Sequence, residues 1–87
     1  MTIKAATIRV PRKFYDDHVD RDLPAPGILR STKTHYYIDA LSRDLDELLD
    51  DAKYYTEMIK YMHPDYRGLC RSAAATVKSI NNYHKGV

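Results

Sequence analysis

Residues 41–63, LSRDLDELLDDAKYYTEMIKYMH, carry the clearest amphipathic pattern in this chain of 87 residues. Mostly apolar side chains recur there every three or four residues, which is the spacing of one face of an α-helix. We therefore expect a helix that begins near Ser42, a suitable N-cap, and runs to about Met62. The core should form against its apolar face, which consists of Leu45, Leu48, Leu49, Ala52, Tyr55, Thr56, Ile59 and Met62.

A second helix is predicted directly after this one. The pair His63-Pro64 breaks the first helix, and Pro64 with Asp65 opens a helix that extends to about Tyr83. The short break makes the two helices an αα-hairpin. The apolar face of the last helix consists of Tyr66, Leu69, Cys70, Ala73, Val77 and Ile80.

The residues before the helical pair alternate between strand and helix patterns. Thr2–Val10 is rich in β-formers and ends at a proline, and Arg12–Leu23 carries helix-type charge pairs four residues apart. Leu23–Gly27 contains two prolines and forms a turn. Ile28–Asp39 is predicted to be one strand with a bulge or bend near residues 31–33. The predicted apolar stripe of the first helix consists of Phe14, Tyr15, Val19 and Leu23.

These elements predict a single α+β domain over residues 1–87, with the order β-α-β-α-α. Its sheet of two strands packs on the C-terminal αα-hairpin. Two strands alone are marginally stable in water. Either the helix pair covers the sheet, or a second chain extends the edge of the sheet and produces a homodimer.

Composition limits the class of protein. An apolar fraction of 44% and a charged fraction of 30% are typical of soluble domains. The start of the chain lacks the apolar core of a signal peptide, and no apolar run approaches the length of a membrane span. The single cysteine, Cys70, excludes an intrachain disulfide and a cysteine-rich metal site. We expect a cytoplasmic protein, in the host cytosol, with no membrane partner.

Charge is unevenly distributed along the chain. Residues 1–38 contain seven Lys/Arg and four Asp, a net charge of +3, and residues 39–57 contain two Lys/Arg and seven Asp/Glu, a net charge of −5. Residues 58–87 contain five Lys/Arg and one Asp, a net charge of +4. Segregated charge of this kind indicates binding partners rather than a fold.

A candidate protein-binding surface lies on the predicted outer face of the helix over residues 42–62. Tyr54, Met58 and Tyr61 point away from its leucine face, and interfaces are enriched in such amphipathic aromatics. The alternative is that other parts of the chain cover them. The acidic members of this surface are Glu47, Asp50 and Asp51.

A candidate nucleic-acid-binding surface lies on the last helix. Arg67, Arg71 and Lys78 fall within roughly 40° of one another at about 100° per residue, and Lys60 adds a fourth cation. A basic row beside small residues suits contacts with phosphates or with base edges. The alternative is a solvated outer face.

Catalytic and cofactor motifs are missing from the sequence. Asp16, His18, Asp20 and Asp22 alternate like calcium ligands, but the glycine and the late glutamate of a calcium loop are lacking. The histidines show no metal-binding spacing and there is no glycine-rich phosphate loop. We therefore expect no enzyme, no metal and no cofactor. A pocket assembled between chains around His35, Tyr36 and Tyr37 is the remote alternative.

The runs FYDDHVDRDLPAP, TKTHYYI, LDELLDDAKYY and YRGLCRSAAATVKSI resemble small uncharacterised accessory proteins of bacteriophages and plasmids. This resemblance covers most of the chain and assigns a role to no residue. It implies a protein that acts by binding, often by blocking a host enzyme, a defence system or a regulator.

The leading hypothesis is therefore a non-enzymatic module that binds and modulates or inhibits a host protein or defence complex. The alternative is a small dimeric protein that binds DNA or RNA through the basic face of the last helix.

Overall fold

Within residues 6–58, 61 and 63–86, which the computed structural model describes, the chain forms three β-strands and three α-helices. The small α+β class predicted from the sequence is confirmed. A 3₁₀-helical turn over Pro64–Tyr66 precedes the last helix. In chain order the elements are β1 (Thr7–Pro11), α1 (Arg12–Asp20), β2 (Ile28–Ser31), β3 (His35–Asp39), α2 (Leu45–Met58) and α3 (Arg67–Lys85).

The described sheet has three antiparallel strands in the order β1-β3-β2, so the prediction of two strands was wrong. The segment predicted as one strand, Ile28–Asp39, reverses direction between β2 and β3. The reversal is closed by Thr32, whose N–H donates to the His35 carbonyl at 2.8 Å. The Thr32 hydroxyl also accepts from the His35 N–H at 3.1 Å. Local side-chain bonds of this kind compete with strand continuation, so the weak alternation near residues 31–33 marks a hairpin.

The core lies on one face of the sheet. Ile8 and Val10 of β1 and Tyr36 and Ile38 of β3 are buried on that face. The residues of α3 that complete the core with them include Leu69, Ala73 and Ile80. The helix that packs most extensively on the sheet is thus α3, with α1 beside it, rather than the predicted helix pair.

The apolar face predicted for α2 is confirmed at four positions, while Tyr55 and Thr56, its other described members, are only partly buried. Leu45, Leu48, Leu49 and Ala52 are buried, and α2 packs mainly against α3 and α1. The Ser42 hydroxyl accepts from the Asp44 N–H at 3.1 Å, and Ser42 lies three residues before Leu45, the first residue of α2. Ile59, Met62 and the predicted end of this helix lie outside the described residues, as do residues 2–5 of the predicted first strand.

The stripe predicted for α1 was partly wrong. Phe14 and Tyr15 are buried, but Val19 is 42% exposed and His18 is buried in its place. The helix ends at Asp20 instead of Leu23. Its end is set by Asp22, which has a φ of 60°, a left-handed conformation that no α-helix continues.

The last helix differs from its predicted face at two positions. Tyr66 is 53% exposed, whereas Thr76 is completely buried. The Thr76 hydroxyl satisfies its hydrogen-bonding need inside the helix by donating to the Ser72 carbonyl at 2.9 Å. A threonine that bonds within its own helix packs like a small apolar residue, which hydropathy alone does not indicate.

The left-handed backbone at Asp22 predicts opposite outcomes for two substitutions. Asp22→Gly removes the Cβ clash and should leave the free energy of unfolding unchanged or raise it by up to about 1 kcal/mol. Asp22→Val places a β-branched residue there and should lower it by about 1–2 kcal/mol. Urea unfolding followed by circular dichroism measures both, and a valine variant as stable as the parent would contradict the conformation.

Candidate functional site

The outer face of α2 presents two tyrosines to solvent. Tyr54 is 58% exposed and Tyr61, which follows the helix, is 78% exposed. Met58 is partly buried, while Glu47 and Asp50 are exposed. We call these five residues the tyrosine surface. Nothing in the described part of the chain covers its two tyrosines, so the alternative of burial does not hold for them.

Asp51, the sixth residue predicted for this surface, lies elsewhere. Its side chain is only 12% exposed and bonds to two residues of the α1 region. Arg21 donates to it from Nη1 at 3.1 Å and from Nη2 at 2.5 Å, and His18 Nδ1 lies 2.7 Å from its Oδ2. Asp51 therefore joins α2 to the α1 region and is not available to a partner.

His18 is held by two acceptors. Its Nε2 lies 2.7 Å from the carbonyl oxygen of Pro24, and a carbonyl only accepts, so Nε2 donates. Its Nδ1 faces the Asp51 carboxylate, which already accepts from Arg21, so Nδ1 donates as well. The two acceptors thus hold the ring between the loop after α1 and helix α2.

Burial would raise the pKa of Asp51, but the hydrogen bonds and positive charges of Arg21 and His18 outweigh it and hold that pKa below its ordinary value. The hydrogen bond to Asp51 in turn raises the pKa of Arg21 despite partial burial. Asp51 and Arg21 are thus the centre of an ion-pair cluster, and each stabilises the charged form of the other.

The cluster extends to Asp17 and Tyr55. Arg21 Nε donates to Asp17 at 3.0 Å, and the Tyr55 hydroxyl donates to the same carboxylate oxygen at 3.4 Å. The guanidinium lies 4.9 Å from the Tyr55 ring centroid. The cluster consists of His18, Arg21, Asp17, Asp51 and Tyr55. Its polar groups are engaged with one another by hydrogen bonds, so it is suited to holding α1 against α2 rather than to acid–base chemistry.

Sequence reasoning missed His18 and Arg21 as partners of Asp51. The pairs are separated by 33 and 30 residues, so no local spacing connects them. The one sequence feature that could have indicated a paired Asp51 is its position next to Ala52, at the border of the apolar face of α2. Acidic residues at such a border frequently find a cation on the neighbouring element, but the sequence does not say which one.

The predicted basic row on α3 is exposed. Arg67, Arg71 and Lys78 all face solvent, whereas Lys60 lies outside the described residues. A cation that sequence reasoning did not assign to this row joins it from α1. A Cβ placed on Gly68 would approach Lys13 Nζ to 2.7 Å, so the Lys13 ammonium lies directly against α3 beside Arg67.

The alternating segment Asp16–Asp22 does not converge on a point. Asp16 accepts a hydrogen bond from the Tyr36 hydroxyl at 2.9 Å, while Asp17 and His18 belong to the ion-pair cluster. Across residues 6–58, 61 and 63–86, no group of three or more His, Cys, Asp or Glu side chains is arranged to hold a metal ion. Cys70 is free and buried.

The residues of the remote pocket hypothesis do not share a face. Tyr36 is buried in the core, whereas His35 and Tyr37 lie on the opposite face of β3. The strand alternation therefore separates Tyr36 from the other two, and one pocket within this chain does not contain all three.

Comparison of the chain with protein-family models, with curated proteins and with solved structures finds no match in any of the three. Among the helices that the structure describes, none is long and apolar enough to cross a membrane.

The ion-pair cluster predicts how stability depends on pH. Because the pKa of Asp51 is lowered in the folded state, its contribution is complete above the unfolded-state value, about 3.9, and is lost as the pH falls through the folded value. Asp51→Asn should lower the free energy of unfolding at pH 7 by about 1–3 kcal/mol. The variant should also lose less of its free energy of unfolding than the parent does when the pH falls below about 4. Urea unfolding at several pH values measures this.

Asp50→Asn is the matched control, since Asp50 is exposed on the same helix. It should change the free energy of unfolding by less than about 0.5 kcal/mol. Equal losses in the two variants would contradict a specific role for Asp51.

Proposed function

We propose that this protein is a non-enzymatic binding module that captures another protein through the tyrosine surface and modulates or inhibits it. The observation that supports this proposal is the exposure of Tyr54 and Tyr61, 58% and 78%, at the outer face and end of one helix. Exposed tyrosines supply a large contact area with only two side-chain torsions to immobilise, and they are enriched among the residues that dominate binding energy.

The charge around the tyrosines indicates the chemistry of the partner. Glu47 and Asp50 are exposed beside them, and residues 39–57 carry seven Asp/Glu against two Lys/Arg. Asp51 contributes little to this field because it is paired with Arg21 and hydrogen-bonded to His18. The complementary partner surface has an apolar pocket for tyrosine with a basic rim, an arrangement that accelerates association and excludes acidic surfaces.

The partner we propose is a host protein or a host defence complex in the cytosol. The support is the resemblance of four segments of the chain to small accessory proteins of bacteriophages and plasmids. Small binding proteins of that kind act stoichiometrically, so the expected effect on the partner is blocking or altering its activity rather than chemical modification.

The double variant Tyr54→Ala/Tyr61→Ala tests this proposal. Immobilised parent protein is incubated with host-cell lysate, and captured proteins are quantified by mass spectrometry. The variant should lose the specifically captured protein, because truncation of a central anchor costs about 2 kcal/mol or more. Its helical circular dichroism should not change, since both side chains are largely exposed.

Tyr66→Ala is the matched control, because Tyr66 is also an exposed tyrosine, at 53%, but lies outside the tyrosine surface. It should retain capture. Undiminished capture by the double variant, or a loss of its helical signal, would contradict the proposed surface.

A second candidate function is binding of duplex nucleic acid by a dimer through the basic face of α3. The observation that favours it is the joint exposure of Arg67, Arg71 and Lys78, with Lys13 placed against Gly68 beside them. Ala74 is a small residue next to these cations on the same face, and it permits close approach to a phosphate backbone.

Fluorescence anisotropy of a labelled DNA duplex tests this candidate. Affinity should fall with salt by about 0.9 in log–log slope per phosphate contact, and Arg67→Glu/Arg71→Glu should abolish binding. Lys53→Glu, an exposed change on α2, is the control. A flat salt response would contradict the candidate.

A further inference from the structure

The face of the sheet turned away from the core carries a row of three side chains across its described strands. Arg9 of β1 lies opposite Tyr37 of β3, and Arg30 of β2 lies opposite Tyr37 from the other side. Directly opposite residues in antiparallel strands project from the same face. One tyrosine is therefore flanked by two arginines.

Each arginine of this row is oriented by a neighbour on the same face. The Arg30 guanidinium lies 5.4 Å from the centroid of the Tyr37 ring. Arg9 Nη2 donates to His35 Nδ1 at 3.3 Å, and the Thr34 hydroxyl oxygen lies 2.7 Å from the same nitrogen. Neither arginine forms an ion pair with a carboxylate in the part of the chain that the structure describes.

His35 does not add or remove charge from this face at neutral pH. Its Nδ1 accepts a hydrogen bond from Arg9, which requires that nitrogen to be unprotonated. Partial burial and the positive charge of Arg9 lower the pKa of His35 below its ordinary value. A neutral His35 thus holds the Arg9 guanidinium in place and leaves its charge uncompensated.

Lys33 and Asp39 are further charges near this row, and they are of opposite sign. Lys33 is exposed in the turn between β2 and β3. Among the described residues of this face, the acidic one is Asp39, and its Oδ1 already accepts from the Leu41 N–H at 3.0 Å. The Arg12 N–H donates to the Thr34 carbonyl at 3.0 Å and fixes the turn to the start of α1.

We propose that this open face binds single-stranded nucleic acid. A base stacks on the Arg30 guanidinium, which lies over the Tyr37 ring, and Arg9 and Lys33 contact the flanking phosphates. An exposed sheet that pairs an aromatic ring with arginines suits unpaired bases, which stack on aromatic or guanidinium planes while cations follow the backbone. The two arginines are separated by two strand spacings, about 10 Å, so the face takes a short segment of strand.

This site is independent of the proposed protein capture and of the duplex candidate. It shares no residue with the tyrosine surface or with the basic face of α3. A base inside a duplex is stacked on both faces and has no free face for Tyr37 and Arg30. The site therefore favours single strands over a duplex. An acidic protein surface would pair with the cations but would not stack on Tyr37 and Arg30. The Tyr37 variant therefore distinguishes an acidic protein ligand from single-stranded nucleic acid.

The test is fluorescence anisotropy of labelled oligouridylate and oligodeoxythymidylate of about ten nucleotides, with a duplex of equal length as comparison. The parent should bind the single strands more tightly than the duplex, with affinity that falls as salt rises. Tyr37→Leu, which keeps a strand-compatible apolar side chain, should weaken binding about tenfold or more. Arg9→Gln/Arg30→Gln should weaken it further and reduce the salt slope by about 0.7, because Arg9 is the phosphate contact that this variant removes.

Arg67→Gln/Arg71→Gln is the matched control, with the same change of charge placed on α3, and it should retain single-strand binding. Absence of single-strand binding at low salt, equal affinity for the duplex, or loss of binding in the α3 control with retention in the sheet variants would each overturn the proposal. If Tyr37→Leu unfolds, the double arginine variant decides, because both of its side chains are exposed.

Discussion

The pairing of β3 with a strand on each side is the constraint on which the rest of the structure depends. Its alternation places Tyr36 and Ile38 in the core and His35 and Tyr37 on the opposite face. The described core lies wholly on the first of these faces, where α1 and α3 pack. Because the helices pack against one face of the sheet, the other face is available for binding. The alternation of β3 places His35 and Tyr37 on that open face.

A second constraint is the ion-pair cluster between α1 and α2. Carboxylates at a partly buried position are costly unless they are paired, and Asp51 obtains two cationic partners from one neighbouring segment. This arrangement explains why Asp51 joins α1 to α2 while Asp50 is exposed to solvent, although the two are adjacent in sequence. The acidic character of the tyrosine surface comes from Glu47 and Asp50, for which no ion pair is present among the described residues, whereas Asp51 is paired within the cluster.

Local periodicity explains what the sequence predicted well. The faces of α2 and α3 repeat every three or four residues, and their buried positions Leu48, Ala52 and Ala73 follow from that spacing alone. The exposure of Tyr54 follows from the same helical geometry. The position of an α-helical residue relative to its face is set within two turns, so a single sequence contains the information.

Contacts between distant residues explain what the sequence did not predict. His18 replaces Val19 in the core because Asp51 and the Pro24 carbonyl satisfy its two nitrogens, and neither partner is visible in a helix pattern. The row of Arg9, Tyr37 and Arg30 exists only because the chain reverses at Thr32. A segment of β-formers with a polar interruption is compatible with one bent strand or with two paired strands, and the bonds between Thr32 and His35 decide between them.

The most direct test of this account is a nuclear Overhauser measurement on isotope-labelled protein across the backbone of β3. The account predicts cross-strand contacts from Tyr37 to both Arg9 and Arg30, which are its partners in the two ladders. Contacts from Tyr37 to Arg9 without contacts to Arg30 would show that residues 28–39 form one continuous strand. That result would contradict the central position of β3 and remove the arginine–tyrosine row that the open face requires.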